Sequence, residues 1–324
     1  MDAPTQAQID AARTELDGAV IRTPVLPLSS DRWRGQLPKA ASVTVKLELF
    51  QQTGSFKARG VLLGARRLDA AQREAGVAAV SGGNHALAVA WAAQQAGIHA
   101  RVAMPKTVDP LRSDGCRAMG AEVSLHEDVF AAMDEMDRLV REDGRTPLHP
   151  FEGEHMTLGA ATCGAEYLEQ APEVDTFVIP VGGGGLISGM ARAIKLARPD
   201  AQVIGVEPVG ADSLTRSLAS RRPERLGKVD TIADSLGAPY AMPYSLALAR
   251  AHVDRMVQVT DDQMREGMRL YMDDLRILAE PACAASLAAI RGPLADDLEG
   301  RHVGIIACGS NISVDRWRRL LEPA

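Results

Sequence analysis

A chain of 324 residues, 46% hydrophobic and 24% charged, is long enough for two domains or one large α/β unit and has the profile of an ordinary globular protein. Its formal charge of −6 argues against nucleic acid or an anionic membrane as principal partner, and no apolar run approaches the roughly 20 residues that cross a bilayer. The polar start lacks the pattern of a secretory signal, and cysteines 116, 163, 283 and 308 have neither Cys-x-x-Cys spacing nor the density of a disulfide scaffold. A cytoplasmic enzyme with free thiols is therefore the expectation.

Thr5–Asp17 reads as an opening helix. Strand-like runs follow at Val43–Phe50, Val77–Ser81, His99–Met104, Glu122–Leu125, Val174–Val181, Gln202–Glu207, Arg255–Thr260 and His302–Ala307. Amphipathic helical patterns lie between most of them, at Asn84–Gly97, Asp128–Glu142, Leu186–Ala197 and Asp261–Leu275. Such alternation predicts an α/β fold with parallel sheets and helices on both faces. The stretch Arg145–Pro150 carries two prolines and reads as a loop.

Ligands of α/β proteins gather at the C-terminal ends of strands, and four short motifs fall at such points or just beyond one. Thr53-Gly54-Ser55-Phe56-Lys57 follows the first strand and places a lysine at a helix start. A lysine that forms an imine must shed its proton beside an anion-binding terminus, although a solvated lysine is the plain reading of this run alone. Ser81-Gly82-Gly83-Asn84-His85 offers amides and side chains to a carboxylate at a helix start, or is a simple cap. Gly182-Gly183-Gly184-Gly185-Leu186 spends backbone entropy of about 0.5–1 kcal/mol per glycine, as a chain does where amides close around a phosphate. It is neither a dinucleotide fingerprint nor a P-loop, so a small phosphorylated cofactor fits better, with a flexible turn as the alternative. Cys308, ending the last strand, means little alone, since buried cysteines are usually core residues.

Together, in this order and spacing, the four motifs resemble the fold-type-II pyridoxal-phosphate enzymes, and within them the serine/threonine dehydratase and serine racemase branch. The resemblance covers nearly the whole chain. It implies two three-layer α/β/α domains of the tryptophan synthase β-subunit kind: a large cofactor domain of residues 1–52 and 151–324, and a small mobile one of residues 53–150. It implies that Lys57 forms an imine with pyridoxal 5′-phosphate and then acts as the base at Cα. It also implies that Phe56 packs on the ring, Asn84 bonds its 3′-oxygen and Cys308 faces its nitrogen. Gly182, Gly183, Gly184, Gly185 and Leu186 would hold the phosphate, with Glu280 near the ring. Ser81, Gly82, Gly83, Asn84 and His85, with Thr53 or Ser55, would grip the substrate carboxylate.

The implied reaction is β-elimination of a β-hydroxy amino acid, of the serine or threonine type, to a 2-oxo acid and ammonia by a homodimer. A thiol opposite the ring nitrogen favours a weak electron sink, which suits elimination better than transamination. Racemases of this kind carry a serine where this chain has Gly82, and a glycine has no proton to give. In the cation pattern of the racemase-like members Glu207 and the Ala211 carbonyl remain, but Ser213 replaces an acid, so a divalent ion, a monovalent ion or none is expected. No regulatory domain is expected after the catalytic core. Phenylserine or 3-hydroxyaspartate as substrate, racemase activity, and coenzyme binding without turnover stay open as alternatives. The methionines at 133, 136, 156 and 242 are candidates for an adaptable apolar pocket or for core.

Overall fold

The computed structural model describes residues 2–29, 33 and 35–322. Among the described residues ten strands run in chain order: β1 Val25–Pro27, β2 Ser42–Lys46, β3 Val77–Val80, β4 Ala100–Pro105, β5 Glu122–His126, β6 Thr146–Pro147, β7 Thr176–Pro180, β8 Gln202–Pro208, β9 Arg255–Val259 and β10 His302–Ile306. They form a six-stranded sheet in the order β1-β2-β10-β7-β8-β9 and a four-stranded sheet in the order β5-β4-β3-β6. Every pairing is parallel except β1 with β2. Strands β7 and β10 read Thr-Phe-Val-Ile-Pro and His-Val-Gly-Ile-Ile and are buried almost throughout, as strands covered by helices on both faces must be.

The helices are α1 Gln6–Leu16, α2 Lys57–Arg66, α3 Ala70–Ala75, α4 Asn84–Ala96, α5 Pro110–Ala118, α6 Val129–Arg141, α7 Glu154–Gln170, α8 Gly185–Ala197, α9 Ser213–Ser220, α10 Pro243–His252, α11 Asp261–Leu275, α12 Pro281–Arg291 and α13 Val314–Leu321. Their starts are written in local chemistry. Thr5 with Gln8, Asp69 with Gln72 and Thr260 with Gln263 form reciprocal capping boxes. Asp109 caps α5, whose first residue is a proline.

All eight expected strands are present, with two differences from the sequence reading. The run from Val43 to Phe50 leaves the sheet after Lys46, and residues 48–50 form a 3-10 turn. Tertiary bonds cause this: Leu49 donates its N–H to the Ala307 carbonyl, and the Glu48 carboxylate is drawn inward to Arg59. The stretch read as a loop contains β6, whose Thr146 and Leu148 N–H groups bond the Gly76 and Ala78 carbonyls at 2.9 and 3.0 Å. Pro147 is tolerated because β6 is an edge strand and needs no ladder bond from that residue.

Each sheet has its own apolar core. One gathers Val45, Phe177, Val178, Ile204 and Ile305 with the inner faces of α8, α11 and α12. The other gathers Val77, Ala79 and Val102 with α2 and α4, and draws in Ile9 and Leu16 of α1 and Met156 and Leu158 of α7. Between them lies a buried ionic cluster. Arg59 donates to Glu48 at 2.7 and 2.8 Å and to Glu166 at 3.1 Å, while Lys46 bonds Glu166. Burial alone would raise the Glu48 carboxyl, but the charges of Arg59 and Lys46 hold it below the usual carboxylate range.

Candidate active site

The C-terminal ends of β3, β7 and β10 open onto one cavity of about 880 Å³, walled by both halves of the molecule. Its lining includes Phe56 and Lys57, the run Ser81–His85, Gly182–Leu186 and Cys308. Four motifs far apart in the chain thus meet around one space.

Lys57 is the first residue of α2. Its Nζ donates to the Pro150 carbonyl and lies 4.9 Å from the centre of the Phe56 ring. Burial lowers the ammonium to about 8. The segment before it is clamped to the turn after β10. Ser55 pairs with Gly309, Phe56 N–H bonds the Cys308 carbonyl at 3.3 Å, and Asn311 Nδ2 bonds the Thr53 carbonyl at 2.6 Å. Thr53 is held at φ +58°, a left-handed conformation that costs a β-branched residue energy. The hydroxyls of Thr53 and Ser55 are buried with no partner and lie outside the cavity's lining.

Cys308 is buried, and burial with Cys283 and Glu280 nearby pushes its thiol well above the ordinary value. It is a neutral thiol at neutral pH. The glycine run between β7 and α8 could not be built from larger residues. Gly184 has φ +92°, and a Cβ on Gly183 would sit 2.3 Å from the Phe151 ring. The first N–H groups of α8 have no acceptor within the helix and face this loop, with the positive end of the helix behind them.

On the opposite wall Asn84 begins α4. Its Nδ2 donates to Glu280 at 2.5 Å and its Oδ1 accepts from Asn311 at 2.6 Å. Glu280 lies behind Asn84, outside the lining, and also accepts from Arg112 and Ser235, each at 3.3 Å. Burial raises its carboxyl, against the pull of Arg112. Ser81 Oγ accepts the Gly83 N–H at 3.1 Å. His85 Nε2 pairs with the Leu148 carbonyl at 2.8 Å while Nδ1 has no partner. Burial and the Lys57 charge hold His85 neutral.

Several wall residues escaped the sequence reading. Arg112, Asp234, Ser235, His149, Phe151 and Tyr240 all border the cavity. His149 Nδ1 accepts the N–H groups of Phe151 and Glu152 at 3.3 and 3.0 Å, and burial followed by the Lys57 charge takes its pKa to about 4. The proline pair around His149 was the one available signal there. Of the four methionines, Met133 and Met136 of α6 line the cavity, Met156 is core, and Met242 precedes α10.

The residues considered for a cation sit elsewhere. Glu207 accepts from the N–H groups of Leu214 and Thr215, both at 2.8 Å, and from the Thr215 hydroxyl at 2.6 Å. Its carboxylate therefore holds the start of α9, and burial raises it to about 7. Ala211 and Ser213 are buried beside it, and Asp212 pairs with Arg216 at 2.8 Å. Among the described residues no three acids, histidines or cysteines gather as a metal site.

The cavity fits a small phosphorylated aldehyde. It has an amine poised to lose its proton, a glycine cradle at a helix N-terminus for the phosphate, and a neutral thiol facing the same space.

A family model described as pyridoxal-phosphate dependent enzyme matches residues 16–309. The chain is 45% identical over 318 residues to phenylserine dehydratase from Ralstonia pickettii, covering 98% of this chain and 96% of that protein. It is 36% identical over 281 residues to L-threonine ammonia-lyase from Thermotoga maritima, covering 86% and 70%. Maize serine racemase superposes with a TM-score of 0.91 at 30% identity, covering 98% of this chain and 97% of that one.

Proposed function

The chain belongs to the pyridoxal-phosphate dependent enzymes, and from that premise we propose that its substrate is a β-hydroxy amino acid with an aromatic side chain, of the phenylserine kind. The reaction class itself is a carbon–oxygen lyase reaction, β-elimination of a hydroxy amino acid. The observation that carries the aromatic reading is one face of α6. Val129, Met133, Met136 and Val140 recur at helical spacing, yet they line the cavity rather than a sealed core. With Pro105 and Val108 they make an apolar wall that threonine's methyl group would barely use. A buried phenyl ring would be worth about 2–3 kcal/mol there.

A second substrate carboxylate would need a free cation on this wall. Arg112 is already bonded to two acids, and Arg141 is exposed and paired with Glu142 at 3.0 Å. This favours the aromatic substrate over 3-hydroxyaspartate. The relative named phenylserine dehydratase supports the same choice.

Pyridoxal phosphate, when bound, supplies the sink for electron density released at Cα. Lys57 is the base for the Cα proton, because burial leaves its amine partly neutral near pH 8. The loop Ser81–His85 and the start of α4 orient the substrate carboxylate. The neutral Cys308 thiol leaves the sink weak, which suits loss of a β-hydroxyl. Gly82 has no proton to give, so one base serves Cα and elimination prevails over racemisation. A cytoplasmic homodimer completes the reading. The four free buried thiols support a reducing compartment, and light scattering on the purified protein tests the dimer.

The deciding experiment measures 2-oxo acid and ammonia released from phenylserine, threonine, serine and 3-hydroxyaspartate. We expect kcat/KM for phenylserine to exceed that for threonine by about tenfold or more. A preference for threonine or hydroxyaspartate overturns the aromatic reading. Release from none of them would point to a coenzyme-binding protein without turnover.

A further inference from the structure

Arg112 lies in the first turn of α5, among the helices of the four-stranded half, and its side chain is 2% exposed. All five of its N–H donors are engaged. Nε bonds the Asn311 carbonyl at 2.8 Å, and Nη1 bonds the Gly82 carbonyl at 3.0 Å and Asp234 at 2.7 Å. Nη2 reaches Asp234 at 3.4 Å and Glu280 at 3.3 Å. One side chain of one half thus holds three separate stretches of the other, together with its own half's carboxylate loop. Beside it Asp109 Oδ2 accepts the N–H and hydroxyl of Ser313 at 3.0 and 2.8 Å, and Arg316 shares Asp234 at 3.0 Å.

Burying a guanidinium costs several kcal/mol unless its partners are well placed, and a helix as short as α5 needs no such group to pack. The partners here share another property, since each lines the cavity or bonds a residue that does. Gly82 belongs to the carboxylate loop. Glu280 anchors Asn84, and Asn311 anchors both Asn84 and the Thr53 carbonyl in the run that leads to Lys57. Gly309, between these groups, has no space for a side chain, because a Cβ there would meet Glu280 at 2.0 Å and Asn84 at 2.8 Å. The array is therefore rigid at its centre and joined to both halves at its edge.

We propose that Arg112 is a positioning residue, an interdomain clasp that sets the carboxylate loop, Asn84 and the lysine segment in register across the cavity. The clasp acts on substrate capture. The cavity is walled by both halves, so a substrate enters as they part and is gripped as the Arg112 bonds re-form. Asp234, the most exposed partner, is the bond that opens first. The inference stands on the family chemistry and not on the aromatic substrate, so a threonine-specific enzyme would carry it equally.

The test compares Arg112→Gln, Arg112→Lys and Asp234→Asn in the coenzyme-loaded enzyme and in the coenzyme-free protein. In Arg112→Gln, KM for the best substrate of the panel is expected to rise about tenfold or more with kcat changed less than about threefold. Amide hydrogen exchange at residues 81–85 and 53–57 is expected to accelerate about tenfold without coenzyme, while β7 and β8 keep their protection. Arg112→Lys restores part of both effects. Asp234→Asn, which removes a half-exposed partner, shows the same pattern at smaller amplitude and carries the test alone if Arg112→Gln does not fold. A KM within about twofold of the parent in Asp234→Asn, with unchanged exchange at 81–85, overturns the clasp. So does acceleration spread evenly over β7 and β8, which marks a purely structural role.

Discussion

Burial takes the Lys57 ammonium down to about 8 before any ligand is bound, and this has a direct kinetic consequence. In the coenzyme-free protein the rate of imine capture should rise about tenfold between pH 7 and 9 and then level off, because the amine is already neutral. An ordinary lysine would still be gaining at pH 10. Stopped-flow absorbance during pyridoxal phosphate addition distinguishes the two curves, and Lys57→Ala should abolish the signal. Gly82 allows a second test. A Cβ there meets Pro105 and Val108 at 3.5 Å, ordinary contact distance, so a serine fits without displacing the loop. Gly82→Ser is expected to raise racemisation relative to elimination, and chiral chromatography that finds no inverted amino acid, with coenzyme still bound, defeats the single-base argument. At this scale Lys57, the glycines and Cys308 were legible because each sits in a short motif at a strand end or helix start. Arg112 was not, since an arginine in Pro-Leu-Arg-Ser-Asp looks like any solvated one until its partners are placed.

Helix α6 illustrates what an element's pattern leaves open. Its apolar stripe was readable as a helix, but a stripe facing a core and a stripe facing a cavity are written identically. Here the stripe from Val129 to Val140 lines the cavity, and Met133 and Met136 supply flexible, polarisable surface to a ring. Replacing both with alanine should lower kcat/KM for phenylserine about tenfold and that for threonine less than twofold, as steady-state kinetics on the two substrates will show. An equal loss on both would assign the methionines to packing. Strand β2 shows the same limit from another direction. Its strand-like sequence continues to Phe50, yet a bond from Leu49 to the Ala307 carbonyl and one from Arg59 to Glu48 bend it out after Lys46.

Across the whole molecule, the cluster of Lys46, Glu48, Arg59 and Glu166 joins the end of β2 to α2 and α7, and α2 carries Lys57 at its first residue. Removing one member leaves an unpaired buried charge. Glu48→Gln is expected to cost about 3–5 kcal/mol, seen as a lower urea midpoint with unchanged slope. A loss below 1 kcal/mol would mean that water reaches the cluster and shares its charge.

The sequence alone determined the α/β class, the strand ends at which ligands gather, and the short motifs that carry Lys57, the glycine run and Cys308 to one cavity. Those features depend on local rules: periodicity, capping and the tolerance of glycine for a conformation that larger residues avoid. Only the tertiary structure decided which side chains of the two halves meet. Arg112, Asp234, Glu280 and Asn311 are up to 199 residues apart and bear no mark of one another in the chain. Their union depends on the desolvation of a charge, and a charge is desolvated only when the whole molecule has closed around it.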